Sequence, residues 1–195
     1  MLEIERGNIM EQTLVLIKPD GVRRALIGRV ISRFEDAGLQ ISAIKMLVPE
    51  RERVGRHYTD DEAWLKSVGS KSKKAYESKG VSVTESEIDI GRRIRGQLID
   101  YLTSGPVIAM IIEGNEAVFT VRKIVGSTEP RSADPSSIRG GLSTDSYGAA
   151  DSRKSPLKNL IHASEDVKSA KDEISVWFSD RDVCDYERAD RSAIS

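Results

Sequence analysis

A chain of 195 residues, 38% hydrophobic and 31% charged, can bury a sizeable core and has the composition of a soluble globular protein. Its formal net charge of −1, with no long block of one sign, argues against a general nucleic-acid binder. The only cysteine, Cys184, excludes an internal disulfide framework and suits a reducing cytoplasm. No apolar run approaches the roughly 20 residues that cross a bilayer, and Met1–Arg6 carries no signal-peptide core.

Gln12 to Ile17 is apolar and partly β-branched, which predicts a buried strand, and Lys18-Pro19-Asp20-Gly21 predicts a turn. Ile27, Val30, Ile31 and Phe34 recur at helical spacing over Ile27–Ala37, with Gly38 as the stop. Leu39–Val48 alternates as a strand does. Thr59–Thr103 is too long for a simple connection. Thr59-Asp60-Asp61-Glu62 and Thr84-Glu85-Ser86-Glu87 match capping boxes, and Ile88, Ile94, Leu98 and Leu102 follow the second in helical phase.

Pro106–Glu113 predicts a further buried strand. Asn115 is expected to cap a helix running to Val125, with Val118, Val121, Ile124 and Val125 inward. Ser127–Lys158 is rich in Ser, Gly, Pro and Asp, and a loop of that length inside a domain is usually functional. Leu160-Ile161 predicts a short strand. Val167–Phe178 predicts a helix with Val167, Ala170, Ile174 and Phe178 on one face. The tail beyond Phe178 leaves a packed arm and a disordered end both open. Strand-helix-strand, twice over, is the split order of a ferredoxin-like α+β sandwich: a four-stranded antiparallel sheet with helices on its faces, here with inserted helices.

The chemistry centres on His162, which follows a short apolar run and precedes the helix-starting Ser164. A neutral imidazole is a nucleophile near pH 7, and one at a strand end beside a helix start can accept a phosphate. Seen alone, such a histidine is more often a packed or surface residue. P-loop, dinucleotide and zincin motifs are absent, so phosphate chemistry here must rely on side chains. Lys18 ends a central strand. Arg122 falls on a predicted helix, and Thr128 and Arg139 fall in the polar loop, where arginine suits bidentate phosphate contacts. Glu173, on the helix after His162, either orients the imidazole or belongs to a solvated helix face beside Lys171. His57 reads as a surface residue.

Taken in order, Lys18-Pro19-Asp20-Gly21-Val22, Ile27-Gly28, His57-Tyr58, Ser104-Gly105-Pro106-Val107, Glu113-Gly114, Gly126-Ser127-Thr128-Glu129-Pro130, Ile138-Arg139-Gly140 and Asn159-Leu160-Ile161-His162-Ala163-Ser164 resemble the nucleoside diphosphate kinase family. The resemblance runs from Glu11 to Phe178 apart from inserted stretches. It implies transfer of the γ-phosphate of a nucleoside triphosphate, such as ATP, to a nucleoside diphosphate through a phosphohistidine on His162. It also implies contact of Lys18 with phosphate and ribose, supported by Tyr58. Arg122, Thr128 and Arg139 are implied as phosphate ligands and Asn159 as the ribose ligand. Ser164 and Glu173 are implied to orient the histidine side of the site.

Mg²⁺ would arrive on the nucleotide phosphates, with no metal ligands expected from the protein. A homo-oligomer in the cytoplasm, acting without nucleic acid or membrane, completes the expectation. The chain reads as a single domain over 1–195, with insertions near 66–97 and 144–155 and a C-terminal extension over 179–195.

The departures concern the base. A Pro-Phe pair that the family carries after the tyrosine is missing, which leaves Trp64 or Leu65 to stack on the base. Gly141 and Glu165 stand where the family has Asp. A catalytically silent nucleotide-binding or regulatory protein of the same fold is the alternative. An RNA-binding module is weaker, because the strands are aliphatic rather than aromatic.

Overall fold

Two strands organise the molecule because both of their faces are buried: β1 (Met10–Ile17) and β3 (Val107–Asn115). The computed structural model describes residues 10–77, 80 and 82–190, so the Met1–Arg6 expectation and the last five residues of the tail lie outside it. With β2 (Gln40–Leu47) and β4 (Ile161–Ala163) these strands form a sheet in the order β2-β3-β1-β4, every neighbouring pair antiparallel. Side chains alternate across a strand. Val15 and Ile17 of β1 therefore join Ile108, Met110 and Ile112 of β3 in one core, while Leu14 and Leu16 join Val107, Ala109 and Ile111 in a second. Burying each aliphatic side chain stabilises the fold by roughly 1.5–3 kcal/mol.

The first face is covered by α2 (Ile27–Glu35) through Val30 and Phe34, and by α6 (Ala117–Val125) through Ala117, Val121 and Val125. The second is covered by α3 (Arg51–His57) through Val54, by α5 (Glu87–Leu102) through Ile99 and Leu102, and by α9 (Val167–Trp177) through Trp177. This is the ferredoxin-like α+β arrangement that the element order predicts.

The remaining helices are α1 (Pro19–Arg23), α4 (Glu62–Glu77), α7 (Ile138–Leu142) and α8 (Tyr147–Ser152). Helix α1 replaces the predicted turn, with Pro19 in its first turn, where the missing N–H costs nothing. Both predicted capping boxes start two residues early. Asp61 accepts the Trp64 N–H and Ser86 accepts the Asp89 N–H, so these residues, not Thr59 and Thr84, begin α4 and α5. Asn115 does not cap α6; it ends β3 opposite Met10. The Glu11 carboxylate accepts the Val118 N–H from across the sheet instead. Val167, predicted to face inward, is exposed at the first position of α9.

Helices α4 and α5 approach with their backbones almost touching. A Cβ on Gly69 would lie 1.7 Å from the Glu87 carbonyl oxygen, and one on Gly91 would lie 2.1 Å from that of Leu65. No other residue fits either position without parting the pair. The tail to residue 190 is a packed arm. It runs along edge strand β2, where Cys184 N–H donates to Ser42 C=O, Gln40 Nε2 to Tyr186 C=O, and Arg188 to Leu39 C=O. Among the described residues no helix is long and apolar enough to cross a membrane.

Candidate active site

The site is built where the Lys18-Pro19-Asp20-Gly21 segment locks onto Asn159-Leu160. Lys18 N–H donates to the Leu160 carbonyl at 2.8 Å, and the Leu160 N–H donates to the Asp20 carboxylate at 3.1 Å. Lys18 Nζ donates to Asn159 Oδ1 at 2.7 Å. Leu160 is fully buried, yet its φ is +68°, a left-handed conformation that an ordinary residue adopts only when its surroundings impose it. The two bonds from the Lys18 turn impose it here. Gly21 permits the approach: a Cβ there would stand 2.8 Å from Ile17 and 3.1 Å from the Leu160 carbonyl oxygen. This brace sets the direction in which the chain enters β4 and presents His162.

His162 projects from β4, opposite Leu16 of β1, and is partly buried. Its Nε2 lies 2.9 Å from Glu173 Oε2, and Ser164 Oγ donates to the same oxygen at 2.6 Å. Burial by itself would raise the Glu173 carboxyl. The charge and hydrogen bond of His162, the charge of His57 and the Ser164 hydroxyl outweigh it and hold the group down to about 2. An ionised Glu173 accepts a proton from Nε2, which leaves the lone pair on Nδ1. One orientation and one tautomer thus follow from a carboxylate on α9 and a hydroxyl just past β4.

Lys18 is buried, and burial, then the charge of Arg139, lower its ammonium from 10.5 to about 7, with Asp20 opposing. Its Nζ also lies 5.9 Å from the centroid of the Tyr101 ring. Asn159 is buried and spans the site, accepting from Lys18 and donating Nδ2 to the Thr128 carbonyl at 2.9 Å. Arg139 donates to three carbonyls: Gly126 at 2.8 Å, Ile161 at 2.8 Å and Asn159 at 3.3 Å. It clamps the polar loop to β4. Two of its five N–H groups are left over for an anion. Arg122 is exposed on α6 and reaches the Ser164 carbonyl at 3.5 Å; Thr128 is exposed on the loop.

Sequence reasoning placed His57 on the surface, and this is corrected. The residue is buried, its ring centroid 4.6 Å from that of His162 and 4.6 Å from that of Tyr58. Helix α3, which ends at His57 with Tyr58 as its C-cap, has only Val54 as an apolar marker, so no periodicity announced it. Burial, then the charges of His162 and Lys18, depress His57 to about 3 against the pull of Glu173, so it is neutral at pH 7.

Tyr58 is buried between His57 and Trp64, and no hydrogen bond joins its hydroxyl to Lys18. Of the two candidates for the base, Leu65 is buried against α5 and is not available to stack; Trp64 is partly buried beside Tyr58. Sequence reasoning also read Asp20 only as part of a turn, and did not single out Tyr101.

The chain matches the family model described as nucleoside diphosphate kinase over residues 11–83 and 88–183. A nucleoside diphosphate kinase of Pyrobaculum aerophilum is 44% identical over 179 residues, which cover 89% of this chain and 98% of the relative. That of Archaeoglobus fulgidus is 38% identical over 185 residues, 95% of this chain and 97% of the relative. Among solved structures, an NDP kinase from Pyrobaculum aerophilum superposes with a TM-score of 0.87 at 42% identity, covering 90% of this chain and all of that one. A transition-state mimic of the Borrelia burgdorferi nucleoside-diphosphate kinase, with bound vanadate and ADP, superposes with a TM-score of 0.77 at 33% identity, covering 96% and 98%. On the family match, the identities over nearly full length and the shared fold, this chain belongs to the nucleoside diphosphate kinase family of phosphotransferase enzymes.

Proposed function

We propose that His162 takes the γ-phosphate of a nucleoside triphosphate and passes it to a nucleoside diphosphate in two half-reactions. The observation that carries this is the 2.9 Å contact between His162 Nε2 and Glu173 Oε2. In the first half-reaction the Nδ1 lone pair attacks the γ-phosphorus, the bond to the bridging oxygen breaks, and the diphosphate leaves. Nε2 keeps its proton, and the imidazolium character that develops is met by Glu173. The second half-reaction is the reverse with a different diphosphate.

Phosphoryl transfer depends on in-line positioning and on neutralising spreading negative charge. Lys18, Arg122 and Arg139 supply that charge, with the Thr128 hydroxyl beside them. Asn159 and Lys18 hold the ribose, and Tyr58 walls the site. The substrate is the Mg²⁺ complex of the nucleotide, ATP among others. The protein groups around the phosphate path are cationic and Glu173 is already engaged, so Mg²⁺ takes its ligands from phosphate and water. Contacts to phosphate and ribose, with few to the base, fit low base discrimination.

The exposed Ile44, Met46 and Val48 at the sheet edge favour self-association of the chain. The free Cys184 fits a cytoplasmic setting. The stretches near 66–97 and 144–155 are read as insertions, and 179–195 as an extension, of one domain spanning 1–195.

The test is incubation with γ-labelled ATP. Acid-labile, base-stable label on His162, and its loss with transfer in His162→Ala, are expected. Transfer that persists in that variant would assign the nucleophile elsewhere.

A further inference from the structure

We infer that His57, His162 and Glu173 together form a binding site for an imidazole-seeking divalent cation of the Zn²⁺ class, and that such a cation silences the nucleophile. One donor atom from each of the three residues lies within 4.8 Å of the other two. His162 Nε2 and Glu173 Oε2 are already 2.9 Å apart, and the His57 ring stands nearly perpendicular to that of His162, at 84°. Zn²⁺ holds nitrogen and oxygen ligands at about 2.0–2.2 Å in a tetrahedron, so two donors on one ion stand about 3.3–3.6 Å apart. The widest pair here, at most 4.8 Å apart, closes by about 1.2–1.5 Å when the ion binds.

A second observation points the same way. Both ring nitrogens of His57 are buried and neither has a hydrogen-bond partner among the described residues. Buried polar atoms in folded proteins nearly always have a partner, and leaving one without costs roughly 1–3 kcal/mol. None of the bonds described above engages that ring. A donor atom of that ring lies within 4.8 Å of one from an imidazole and one from a carboxylate. Two imidazoles and one carboxylate make a familiar three-ligand zinc set with the fourth position open. Ser164 Oγ, donating to Glu173 Oε2, orients the carboxylate as supporting groups do around metals.

The donor set also discriminates between cations. Mg²⁺ seeks oxygen ligands and gives up water reluctantly, so the cation that accompanies the nucleotide is a poor fit for two imidazoles. Cu²⁺ and Zn²⁺ stand high in the affinity order for nitrogen ligands. The chemical consequence does not depend on which His162 nitrogen binds. A neutral imidazole has one ring lone pair, and a cation that takes it leaves none to attack phosphorus. The silencing, though not the binding, rests on the reading of His162 as the phosphate acceptor.

The experiment uses the full chain stripped of metal and titrated with Co²⁺, whose visible absorption reports tetrahedral coordination. One Co²⁺ per chain, displaced by Zn²⁺, is expected. Affinity should fall at least about tenfold in His57→Phe and in His162→Ala, the loss of one ligand of three. Zn²⁺ should inhibit transfer at saturating Mg²⁺–ATP in wild type and much less in His57→Phe.

A missing Co²⁺ absorption, or one equally strong in the variants, overturns the site. Should His57→Phe fail to fold, His162→Ala decides. A normal Co²⁺ site in a chain that never becomes labelled by ATP would leave the metal site standing and remove the transfer reading.

Discussion

Glu173→Gln isolates what the carboxylate contributes beyond its shape. Gln is nearly isosteric, and its amide oxygen can still accept from His162 Nε2 and from Ser164 Oγ. The perturbation is therefore the removal of one negative charge 2.9 Å from the imidazole. A hydrogen bond to a charged group contributes roughly 1.5–3 kcal/mol, against roughly 0.5–1.5 for a neutral one. As Nδ1 bonds to phosphorus the ring gains positive charge, so this difference of about 1–2 kcal/mol falls on the transition state. At about 1.4 kcal/mol per tenfold, phosphoenzyme formation should slow by roughly 5- to 30-fold.

The proposed nucleotide contacts lie on other residues, so the nucleotide concentration for half-maximal rate should change by no more than about twofold. Rapid quenching of the first turnover with labelled ATP measures both quantities. A rate within about twofold of wild type, or a loss confined to nucleotide affinity, would refute the claim that Glu173 stabilises the charged ring.

The depressed Lys18 makes nucleotide binding a proton-linked event. Phosphate restores the charge that burial disfavours, so between about pH 7 and the ordinary value of 10.5 ADP binding should take up a proton. Calorimetry in two buffers of different ionisation heat reads this uptake, and identical heats would contradict it. Glu173 is held at about 2 against an ordinary 4.5, so its stabilisation is complete above pH 4.5 and is lost as the pH falls toward 2. The acid-unfolding profile of Glu173→Gln should accordingly be flatter than wild type across that window.

Gly91→Ala tests the α4–α5 contact. Helix propensity alone would favour Ala by about 1 kcal/mol, whereas the collision with the Leu65 carbonyl should cost about 1–3 kcal/mol or more. A lowered denaturation midpoint is expected, and a raised one would refute the contact. Arg139→Lys keeps the charge but cannot span three carbonyls, so it should lower thermal stability as well as nucleotide affinity. An effect on affinity alone would show that the clamp is energetically idle.

The sheet and the two helices on its first face were legible in sequence because β1, β3, α2 and α6 are dominated by burial, and burial writes a period. The short helices α1, α3, α7 and α8 were not, since their 5 to 7 residues complete too few turns to set a stripe. Each capping signature in the α4–α5 region offered two hydroxyl or carboxylate candidates two positions apart, and sequence cannot choose between them. In the site, the order of short motifs picked out Lys18, Asn159, His162, Ser164 and Glu173, which the fold does bring together. The partnership of Asp20 with the Leu160 backbone was hidden, because it joins segments 140 residues apart through a main-chain group that has no signature. His57 was misjudged for the same reason α3 was missed: a polar residue on an unmarked helix gives no sign that its other side faces Trp177 and His162.

The left-handed backbone at Leu160 also bears on how freely this position can vary. Valine and isoleucine, the usual conservative exchanges, are branched at Cβ and tolerate that geometry worst. Glycine would relax the backbone but leave a hole where an isobutyl group was enclosed, and asparagine would place an amide among hydrocarbon. Every single exchange is penalised on one account or the other, so drift here requires a matched change in Asp20 or Gly21. Paired replacement libraries across the two segments should show viable combinations that neither segment admits separately.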